Sequence, residues 1–304
     1  MPQIGLVADD LTGACDSALP FLGGGCVRVG LWPRVPAGDL LCASVTTESR
    51  ASPPAVARTR SAEAARRLAG ADLLFRKLDS MLRGNPLADL EGALEVRGGV
   101  CLVAPALPGE GRVTVDGVQR WPGGQADLRS LLQPLGPRIR LADASSDDDL
   151  LAVAGAALAR GDRLVAGTAG LAAALARRLG LPAPPPLSSR CRRPLAIVGS
   201  LAAAQQAALA ADRGWHVRTV GPDEQVDVEG HDSLVLTGGE TAARVLYAHG
   251  AEELELVGQA LPRVPAARIL GGRLHGVTVV LKAGSFGAVD ALHRALEVLS
   301  GKQA

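Results

Sequence analysis

The chain has 304 residues, of which 47% are hydrophobic and only 2% aromatic, and its formal net charge at pH 7 is +1. This length exceeds that of a usual single domain, so we expect two domains with aliphatic cores. The near-neutral charge argues against a basic surface for nucleic acid or an anionic membrane, and the scarcity of aromatic residues argues against a stacking platform for single strands.

No segment suited to targeting or to crossing a membrane stands out. The first ten residues lack a basic region followed by an apolar core, and no run of about 18 apolar residues occurs. The five cysteines are widely spaced, without a C-x-x-C pair, which fits neither a disulfide framework nor a zinc site. We therefore expect a soluble, cytoplasmic protein.

Short apolar runs typical of strands alternate with segments of helical spacing along the chain. The runs are nearly continuous in apolar residues, as expected for strands that are covered on both faces of a parallel sheet. The predicted strands are 4–8, 27–32, 72–75, 100–104, 163–167, 195–199, 216–220, 233–238 and 277–281. The predicted helices are 54–69, 147–160, 168–179, 201–213, 240–249 and 287–300. This alternation predicts an α/β fold.

A proline-rich segment at 179–194 separates two such blocks. Its five prolines cannot continue a helix or join an inner strand, so the segment is predicted to be a linker. Residues 1–187 and 188–304 are then two domains, each with a mostly parallel sheet flanked by helices, and with a ligand cleft between them. Residues 105–140, rich in Gly and Pro, are predicted to be an irregular excursion from the first sheet.

Two adjacent aspartates, Asp9 and Asp10, follow the first predicted strand. In open α/β sheets the carboxyl ends of the strands are where ligands bind. Asp10 could instead cap the next helix, but a cap uses only one carboxylate, so the tandem pair favours contact with a ligand. Asp16 lies about one and a half helical turns later, and its role stays open.

A second polar cluster occupies residues 75–86. It contains one of the three lysines of the chain and its sole asparagine. A solvated charged face explains the charges but not these rare residues. A pocket for a hydroxylated anion explains both, since cations bind a carboxylate while Asp, Ser and Asn bind hydroxyls. The predicted pocket residues are Lys77, Asp79, Ser80, Arg83 and Asn85, with Arg112 of the glycine-rich turn at 109–112 as a further anion ligand.

Three glycine-rich turns in the second block each follow a predicted strand and open a helix, at 196–205, 234–246 and 279–292. A helix N-terminus after glycine exposes free N–H groups and the positive end of the helix dipole, which suits phosphate. One such turn is often an ordinary loop, but three on one sheet, with the rare Lys282 in the third, favour a nucleotide site. Neither the Walker A nor the Rossmann pattern is present.

Together these motifs resemble those of the four-carbon acid sugar kinase family. The resembling stretches, in the family's order, are ADDLTGACDSA (8–18), TTESR (46–50), KLDSMLRGN (77–85), APALPGEGR (104–112), GTAGLAAALA (167–176), GSLAAAQ (199–205), TGGETA (237–242) and LKAGSFG (281–287). The resemblance implies a two-domain kinase that transfers the γ-phosphate of ATP to a hydroxyl of threonate, erythronate or a 3-oxo-tetronate. It also implies that the first domain binds the sugar acid and the second binds ATP.

The resemblance places the nucleotide contacts on the three glycine-rich turns. The residues that it implies are Ser200, Gly238, Gly239, Glu240, Thr241 and Gly284. Members of the family are commonly longer, so loops are shortened here. Three positions depart from the usual pattern: Glu48 replaces a frequent Asn, Met81 a small hydroxyl residue and Thr168 a Ser. These departures leave the identity of the acid open.

Phosphoryl transfer to an alcohol requires positioning, neutralisation of charge and a carboxylate that accepts the hydroxyl proton. We expect Lys282 and a Mg²⁺ ion, whose protein ligands stay unassigned, to hold the triphosphate of ATP. Lys77 and Arg83 would bind the carboxylate of the acid. The candidate proton acceptors are Asp9, Asp10 and Asp79. Closure of the two domains would exclude water from the site.

Two alternative functions stay open. One is a non-catalytic protein that binds a nucleotide or a sugar acid. The other is a phosphatase with Asp9 as the nucleophile, although the D-x-D spacing that such enzymes normally have is absent. ATP and a small acid are the expected partners, and the formation of a homodimer stays open.

Overall fold

The computed structural model describes residues 1–222, 224–284 and 287–302. Within these ranges the chain forms sixteen strands and nine α-helices. The strands are β1 (Ile4–Ala8), β2 (Val27–Leu31), β3 (Cys42–Thr46), β4 (Leu73–Lys77), β5 (Cys101–Ala104), β6 (Val113–Val115), β7 (Val118–Trp121), β8 (Gly124–Asp127), β9 (Ile139–Leu141), β10 (Leu164–Gly167), β11 (Pro194–Val198), β12 (His216–Thr219), β13 (Ser233–Thr237), β14 (Glu253–Leu261), β15 (Val264–Leu270) and β16 (Thr278–Lys282). The helices are α1 (Leu11–Ala18), α2 (Pro54–Arg67), α3 (Pro86–Arg97), α4 (Leu128–Leu132), α5 (Asp147–Arg160), α6 (Ala169–Arg178), α7 (Ala204–Asp212), α8 (Gly239–Ala248) and α9 (Ala291–Ser300).

The fold is a two-domain α/β fold with a large, mostly parallel sheet, as predicted. Thirteen of the described strands form one continuous sheet, in the order β12-β11-β13-β16-β15-β14-β2-β3-β1-β4-β10-β5-β9. Two parallel portions, one from each block of the chain, are joined by the antiparallel hairpin β14–β15. The hairpin therefore connects the first block to the second within the sheet itself, so the separate sheets predicted for the two domains are one continuous sheet.

The inner strands are buried on both faces. All five residues of β1, β4, β11 and β13 are buried, which explains their nearly continuous apolar runs. Helix α1 lies between the two blocks, in contact with α6 of the first and α8 of the second. None of the helices in the described part of the chain is long and apolar enough to cross a membrane.

Residues 105–140 are more regular than predicted. Strands β6, β7 and β8 form a small antiparallel sheet, and α4 follows it. The β6–β7 turn is made by Asp116 and Gly117, with φ of 53° and 71°. An Asp-Gly pair with both residues in the left-handed region makes the tight turn that joins adjacent antiparallel strands. The prediction of an irregular excursion was therefore wrong for this stretch.

The proline-rich segment after α6 runs beside the central hairpin. The Leu187 N–H donates to the Gln259 carbonyl at 2.8 Å, and the Gln259 N–H donates to the Pro185 carbonyl at 2.9 Å. These bonds pair the segment with the edge of β14. The segment is thus attached to the sheet along part of its length.

Candidate active site

The acidic turn after β1 is held by Arg50. The Arg50 side chain donates to the Asp9 carboxylate from Nε at 2.8 Å and from Nη2 at 2.9 Å, and Nη2 also donates to Asp10 Oδ1 at 2.7 Å. Arg50 comes from the loop after β3, the parallel neighbour of β1, so adjacent strand ends bring the three side chains together. The tandem carboxylates therefore share one cation.

The pKa of the Asp9 carboxyl reflects this arrangement. Burial alone would raise it, but the charge and hydrogen bonds of Arg50 outweigh burial, and the pKa lies below its ordinary value. Asp9 is thus charged at neutral pH, and both of its oxygens accept from Arg50.

Asp10 combines the two roles that the sequence left open. Its Oδ1 accepts from the Gly13 N–H at 3.1 Å, which caps α1. Its Oδ2 accepts from the Thr12 hydroxyl at 2.7 Å. The same carboxylate borders two cavities, described next.

The first of these, the inner cavity, has a volume of about 70 Å³. Its lining mixes polar and apolar side chains, and the charged ones are Asp10, Asp16, Arg50, Lys77, Asp79, Arg83, Arg112 and Arg263. Five cations and three carboxylates line the cavity, and Asp9 and Glu110 pair with Arg50 and Arg263 from outside the lining. The cavity therefore suits a small anion at Lys77 rather than through a general excess of positive charge. Of the predicted pocket residues, all but Asn85 line this cavity.

Lys77 is the cation best placed to bind an anion. It ends β4 and is 93% buried, since its exposed fraction is 7%. Within the described part of the chain its ammonium has no hydrogen-bond or salt-bridge partner, while Asp9, Asp16 and Asp79 lie near enough for their pKa values to respond to its charge. An ammonium that borders the cavity without a protein acceptor has its donors available to a ligand.

Asp79 and Arg83 are bound to each other. Asp79 Oδ2 accepts from the N–H groups of Met81 and Arg83 at 3.0 and 3.2 Å, and the Arg83 guanidinium donates to both carboxylate oxygens. Burial would raise the pKa of Asp79, but the Arg83 hydrogen bonds and the charge of Arg50 hold it well below its ordinary range. Both side chains line the inner cavity; the oxygens of Asp79 are largely occupied by these bonds, and Arg83 uses two of its N–H groups for them.

Two further predicted residues differ in placement. Ser80 lines the inner cavity, and its hydroxyl accepts from Arg112. Asn85 does not line it: its amide donates to the carbonyls of Ser49 and Ser52 at 3.3 and 2.9 Å. These bonds fix the loop that carries Arg50, so Asn85 supports the site from outside it.

The second cavity, the outer cavity, has a volume of about 670 Å³ and lies between the Asp9–Asp10 turn and the three glycine-rich turns. Ser200, Gly238, Gly239, Glu240, Thr241 and Gly284 all line it. It shares Asp10, Thr12, Arg50, Arg83 and Ala283 with the inner cavity, so the two are contiguous.

Glycine is required where the turns approach one another. A Cβ on Gly199 would lie 1.8 Å from Thr241 Oγ1, and one on Gly284 would lie 2.4 Å from Ser200 Oγ. Gly238 has a φ of 96°, which favours glycine. The turns therefore form one surface, with the N-terminus of α8 facing the outer cavity.

Lys282 lies behind this surface. Its side chain is buried, its ammonium donates to the Ala283 carbonyl at 3.0 Å, and it lines a separate cavity of about 200 Å³. Burial lowers the pKa of Lys282 to about 8. Lys282 does not line the outer cavity, and its contact with a triphosphate stays a prediction. Ser285 and Phe286 of the same turn lie outside the described residues.

Glu48 is a site residue whose role the sequence did not indicate. It lines the outer cavity, its backbone has a φ of 44°, and its carboxylate accepts from the Thr46 hydroxyl. Burial raises the pKa of Glu48 to about 7. The structure thus adds a third carboxyl group to the side of the cavity that Asp9 and Asp10 occupy.

Arg263 is the second residue that was missed. It lies at the tip of the β14–β15 hairpin and donates to Asp16 Oδ2 at 3.2 Å and to Glu110 Oε1 at 3.1 Å. Asp16, whose role was open, is therefore a wall residue of the inner cavity that is paired with a side chain from the other block. Burial raises the pKa of Asp16 despite this partner.

Comparison with known families gives two matches along the chain. The pattern of a sugar-binding N-terminal domain matches residues 4–126, and that of a nucleotide-binding C-terminal domain matches residues 156–292. The outer cavity combines residues from both ranges, whereas Lys77, Asp79, Ser80 and Arg83 of the inner cavity all fall in the first.

Individual proteins are similar over nearly the whole chain. A D-threonate kinase of Bordetella bronchiseptica is 30% identical, and the alignment covers 98% of each chain. A solved structure described as a putative tRNA synthase of Salmonella typhimurium LT2 is 19% identical with a TM-score of 0.77, covers 97% of this chain and 99% of its own, and shows the same fold. A domain of unknown function from B. bronchiseptica was solved with bound citrate as a domain-swapped dimer. It is 26% identical with a TM-score of 0.53, and the match covers 98% of this chain and 99% of that one. The chain therefore belongs to the four-carbon acid sugar kinase family.

Proposed function

We propose that this protein is an ATP-dependent kinase that phosphorylates a hydroxyl of a four-carbon sugar acid of the threonate type. The observation that carries the proposal is the contiguity of two unlike cavities at Asp10: a small one that Lys77 borders and a larger one bordered by three glycine-rich turns. The similarity to a D-threonate kinase over 98% of both chains supports the choice of acid. A kinase needs its two substrates to meet at such a junction.

For the nucleotide, we propose that the phosphates of ATP lie against the N-terminus of α8. The free N–H groups after Gly238 and the hydroxyls of Ser200 and Thr241 border the outer cavity and suit phosphate oxygens. We also propose that residues 188–304 form the nucleotide-binding domain and residues 1–187 the acid-binding domain. Lys282 would act through its charge and its support of the third turn.

The donors present fit a Mg²⁺ ion only together with substrate phosphates, since no group of three or more metal-binding side chains lies together within residues 1–222, 224–284 and 287–302. Mg²⁺ is commonly bound by one or two carboxylates together with substrate phosphates and waters, and Asp9, Asp10 and Glu48 offer carboxylates on one side of the outer cavity. When bound with ATP, the ion would neutralise phosphate charge during transfer. Arg50 contributes fixed positive charge beside the same carboxylates.

For the acid, we propose that Lys77 binds the substrate carboxylate. Its ammonium borders the inner cavity and has no acceptor among the described residues, whereas the Arg83 guanidinium already binds Asp79. Ser80 and Arg112, which are bonded to each other, would contact substrate oxygens. This assigns Arg83 a smaller part in binding than the sequence suggested.

We propose Asp10 as the catalytic base. Asp10, unlike Asp79, borders both cavities, and unlike Asp9 it lines the inner one. The substrate hydroxyl oxygen attacks the γ-phosphorus as the bond to ADP breaks, and the hydroxyl proton passes to the Asp10 carboxylate. Asp9 and Asp79, held by Arg50 and Arg83, would keep their charge and position these cations.

The phosphatase alternative is less well supported. Asp9, the proposed nucleophile of that reaction, does not line the inner cavity in which the acid would lie, and the D-x-D spacing is absent from its turn. The binding-protein alternative differs from the kinase only in turnover, so an assay must separate them. We further propose a cytoplasmic location and a homodimer, the latter supported by the domain-swapped dimer of one structural relative. The molecular mass in solution tests the dimer.

The test is ADP release by the full chain with ATP, Mg²⁺ and a panel of D-threonate, L-threonate and D-erythronate. The kinase account predicts ADP release that depends on one of these acids. Binding of both ligands without ADP release would favour the binding protein. Release of inorganic phosphate from a phosphorylated acid, without any need for ATP, would favour the phosphatase.

A further inference from the structure

The inner cavity adjoins a third space on the side away from the glycine-rich turns. This side cavity has a volume of about 480 Å³ and is largely apolar, with lining residues from α1, α6 and the proline-rich segment. The residues that line both it and the inner cavity are Asp16, Leu107, Ala169 and Arg263. None of these four borders the outer cavity. The inner cavity therefore has two ends, one facing the proposed nucleotide site and the other closed by this wall.

The polar part of the wall is an ion pair between the two blocks. Arg263 Nη2 lies 3.2 Å from Asp16 Oδ2, and Arg263 Nη1 lies 3.1 Å from Glu110 Oε1. The two acidic partners come from α1 and from the turn at 108–110, on the first block, whereas Arg263 comes from the hairpin. The guanidinium is thus held from two sides across the boundary between the cavities.

The backbone at the hairpin tip is itself unusual. Arg263 has a φ of 62°, in the left-handed region, where a residue other than glycine costs on the order of 1 kcal/mol. Pro262 and Arg263 are the two central residues of the turn. When proline is the first of two such residues, the second is commonly glycine. The two ion pairs of the Arg263 side chain offset this backbone cost.

We propose that the Asp16–Arg263 ion pair is the end wall of the acid site and limits the length of the acid that can be phosphorylated. This rests on the proposed function, since the reacting hydroxyl must lie beside Asp10 at the opposite end of the inner cavity. The rest of the acid then extends toward the wall, and the distance between the two ends fixes the number of carbons that fit. Removal of the pair would leave Leu107 and Ala169 as the shared lining between a space of about 70 Å³ and one of about 480 Å³.

The test compares acids of different length in Arg263→Ala, in the double variant Asp16→Ala/Arg263→Ala and in Arg177→Ala. Alanine keeps the strained backbone, so Arg263→Ala removes only the side chain. The double variant leaves no unpaired Asp16 and serves if the single variant folds poorly. Arg177 lines the side cavity but not the inner one and is exposed, so its variant is a matched arginine-to-alanine control.

The measured quantity is the ratio of kcat/KM for a six-carbon aldonic acid to that for D-threonate. We expect this ratio to rise roughly tenfold or more in both wall variants, since such a gain is the usual scale for a change of one or two carbons in a fitted pocket. Arg177→Ala should leave the ratio unchanged. Unchanged ratios in folded wall variants would overturn the proposal, as would a gain of equal size in Arg177→Ala.

Two other outcomes are distinguishable. A raised KM for D-threonate in Arg263→Ala, with no gain in kcat/KM for the longer acid, would contradict the proposed end wall. It would instead identify Arg263 as a ligand of the substrate anion. Absence of ADP release by the wild type with every four-carbon acid would count against the proposed function instead. In that case calorimetric binding of the four- and six-carbon acids to the wild type and the double variant still tests the length limit.

Discussion

The Arg50 guanidinium donates to Asp10 Oδ1 at 2.7 Å through the same Nη2 that donates to Asp9 Oδ1 at 2.9 Å. One cation thus fixes both carboxylates of the tandem at the point where the inner and outer cavities meet. A carboxylate held in this way needs little reorganisation to accept a proton, which is what phosphoryl transfer to an alcohol requires of the protein. The consequences can be tested at single residues.

Asp10→Asn should reduce kcat by on the order of 10²- to 10⁴-fold, because the amide cannot accept the hydroxyl proton. Asparagine caps a helix about as well as aspartate, so α1 should persist, while loss of the charge that pairs with Arg50 should lower the free energy of unfolding without unfolding the protein. Steady-state kinetics and calorimetric titration with ATP check both parts. Loss of ATP affinity with kcat retained would place the residue in the nucleotide site only, and Asp39→Asn on an exposed loop is the control.

Gly239→Ala should reduce kcat by on the order of 100-fold, through displacement of Asp10. An added Cβ would lie 2.9 Å from both Asp10 Oδ2 and Thr12 Oγ1, and the carboxylate cannot move without breaking its bonds to Arg50. Gly239→Val should in addition obstruct phosphate at the N-terminus of α8 and raise KM for ATP. Gly70→Ala is the matched control because nothing lies within 4 Å of its added Cβ. A kcat equal to that of the wild type in Gly239→Ala would contradict the close approach of Gly239 to Asp10.

Glu48→Gln should change how stability depends on pH. The pKa of Glu48 is raised from 4.5 to about 7 in the folded protein, so between these pH values the folded state holds a proton that the unfolded chain releases. The Glu48 contribution to the free energy of unfolding therefore falls as pH rises from 4.5 to 7 and is constant above that. The wild type should lose up to about 3 kcal/mol relative to Glu48→Gln across this window.

Urea unfolding of both proteins at several pH values measures this difference. Asp9 and Asp79 have lowered pKa values and act below pH 4, and the raised pKa values of Asp16 and Asp89 are common to both proteins, so the difference between the two isolates Glu48. If the free energy of unfolding changes equally with pH in the two proteins between pH 4.5 and 7, the carboxyl group of Glu48 is not buried as described.

Asp89→Asn should lower the free energy of unfolding by about 3–5 kcal/mol, the usual cost of breaking a buried ion pair. Arg76 Nη2 lies 2.6 Å from Asp89 Oδ1, with the two side chains 0% and 4% exposed. Glu63→Gln, which breaks an exposed pair with Arg67 on α2, should cost at most about 1 kcal/mol. Chemical denaturation measures both, and similar costs for the two variants would contradict the buried placement of Arg76.

Much of the site could be predicted because it is encoded in local patterns. The tandem Asp9–Asp10 and the glycine-rich turns each follow a buried strand, and the carboxyl end of a strand is a position that sequence alone can identify. Arg50 and Arg263 could not be assigned in this way, since each reaches the site from a segment distant in sequence. Arginine is also the default cation of this chain, so neither residue stood out by composition.

The rarity of a residue type in this chain proved an unreliable guide to which side chains line the inner and outer cavities. Lys77 lies where a ligand would bind, but Asn85 holds the loop of Arg50, and Lys282 is turned into a neighbouring cavity.

Some strands of the fold could not be identified from the sequence either. Strand β3 was missed because its sequence CASVT is small and partly polar, and the β14–β15 hairpin was missed because its charged residues alternate with apolar ones, unlike those of a fully buried strand.

The central claim is that the two cavities hold ATP and a four-carbon acid and that phosphate passes between them beside Asp10. The most direct measurement is ³¹P NMR of the full chain incubated with ATP, Mg²⁺ and D-threonate. The account predicts a new phosphomonoester signal on the acid that grows in step with ADP and is absent with Asp10→Asn. Conversion of ATP to ADP and inorganic phosphate alone, with no phosphorylated acid, would contradict it.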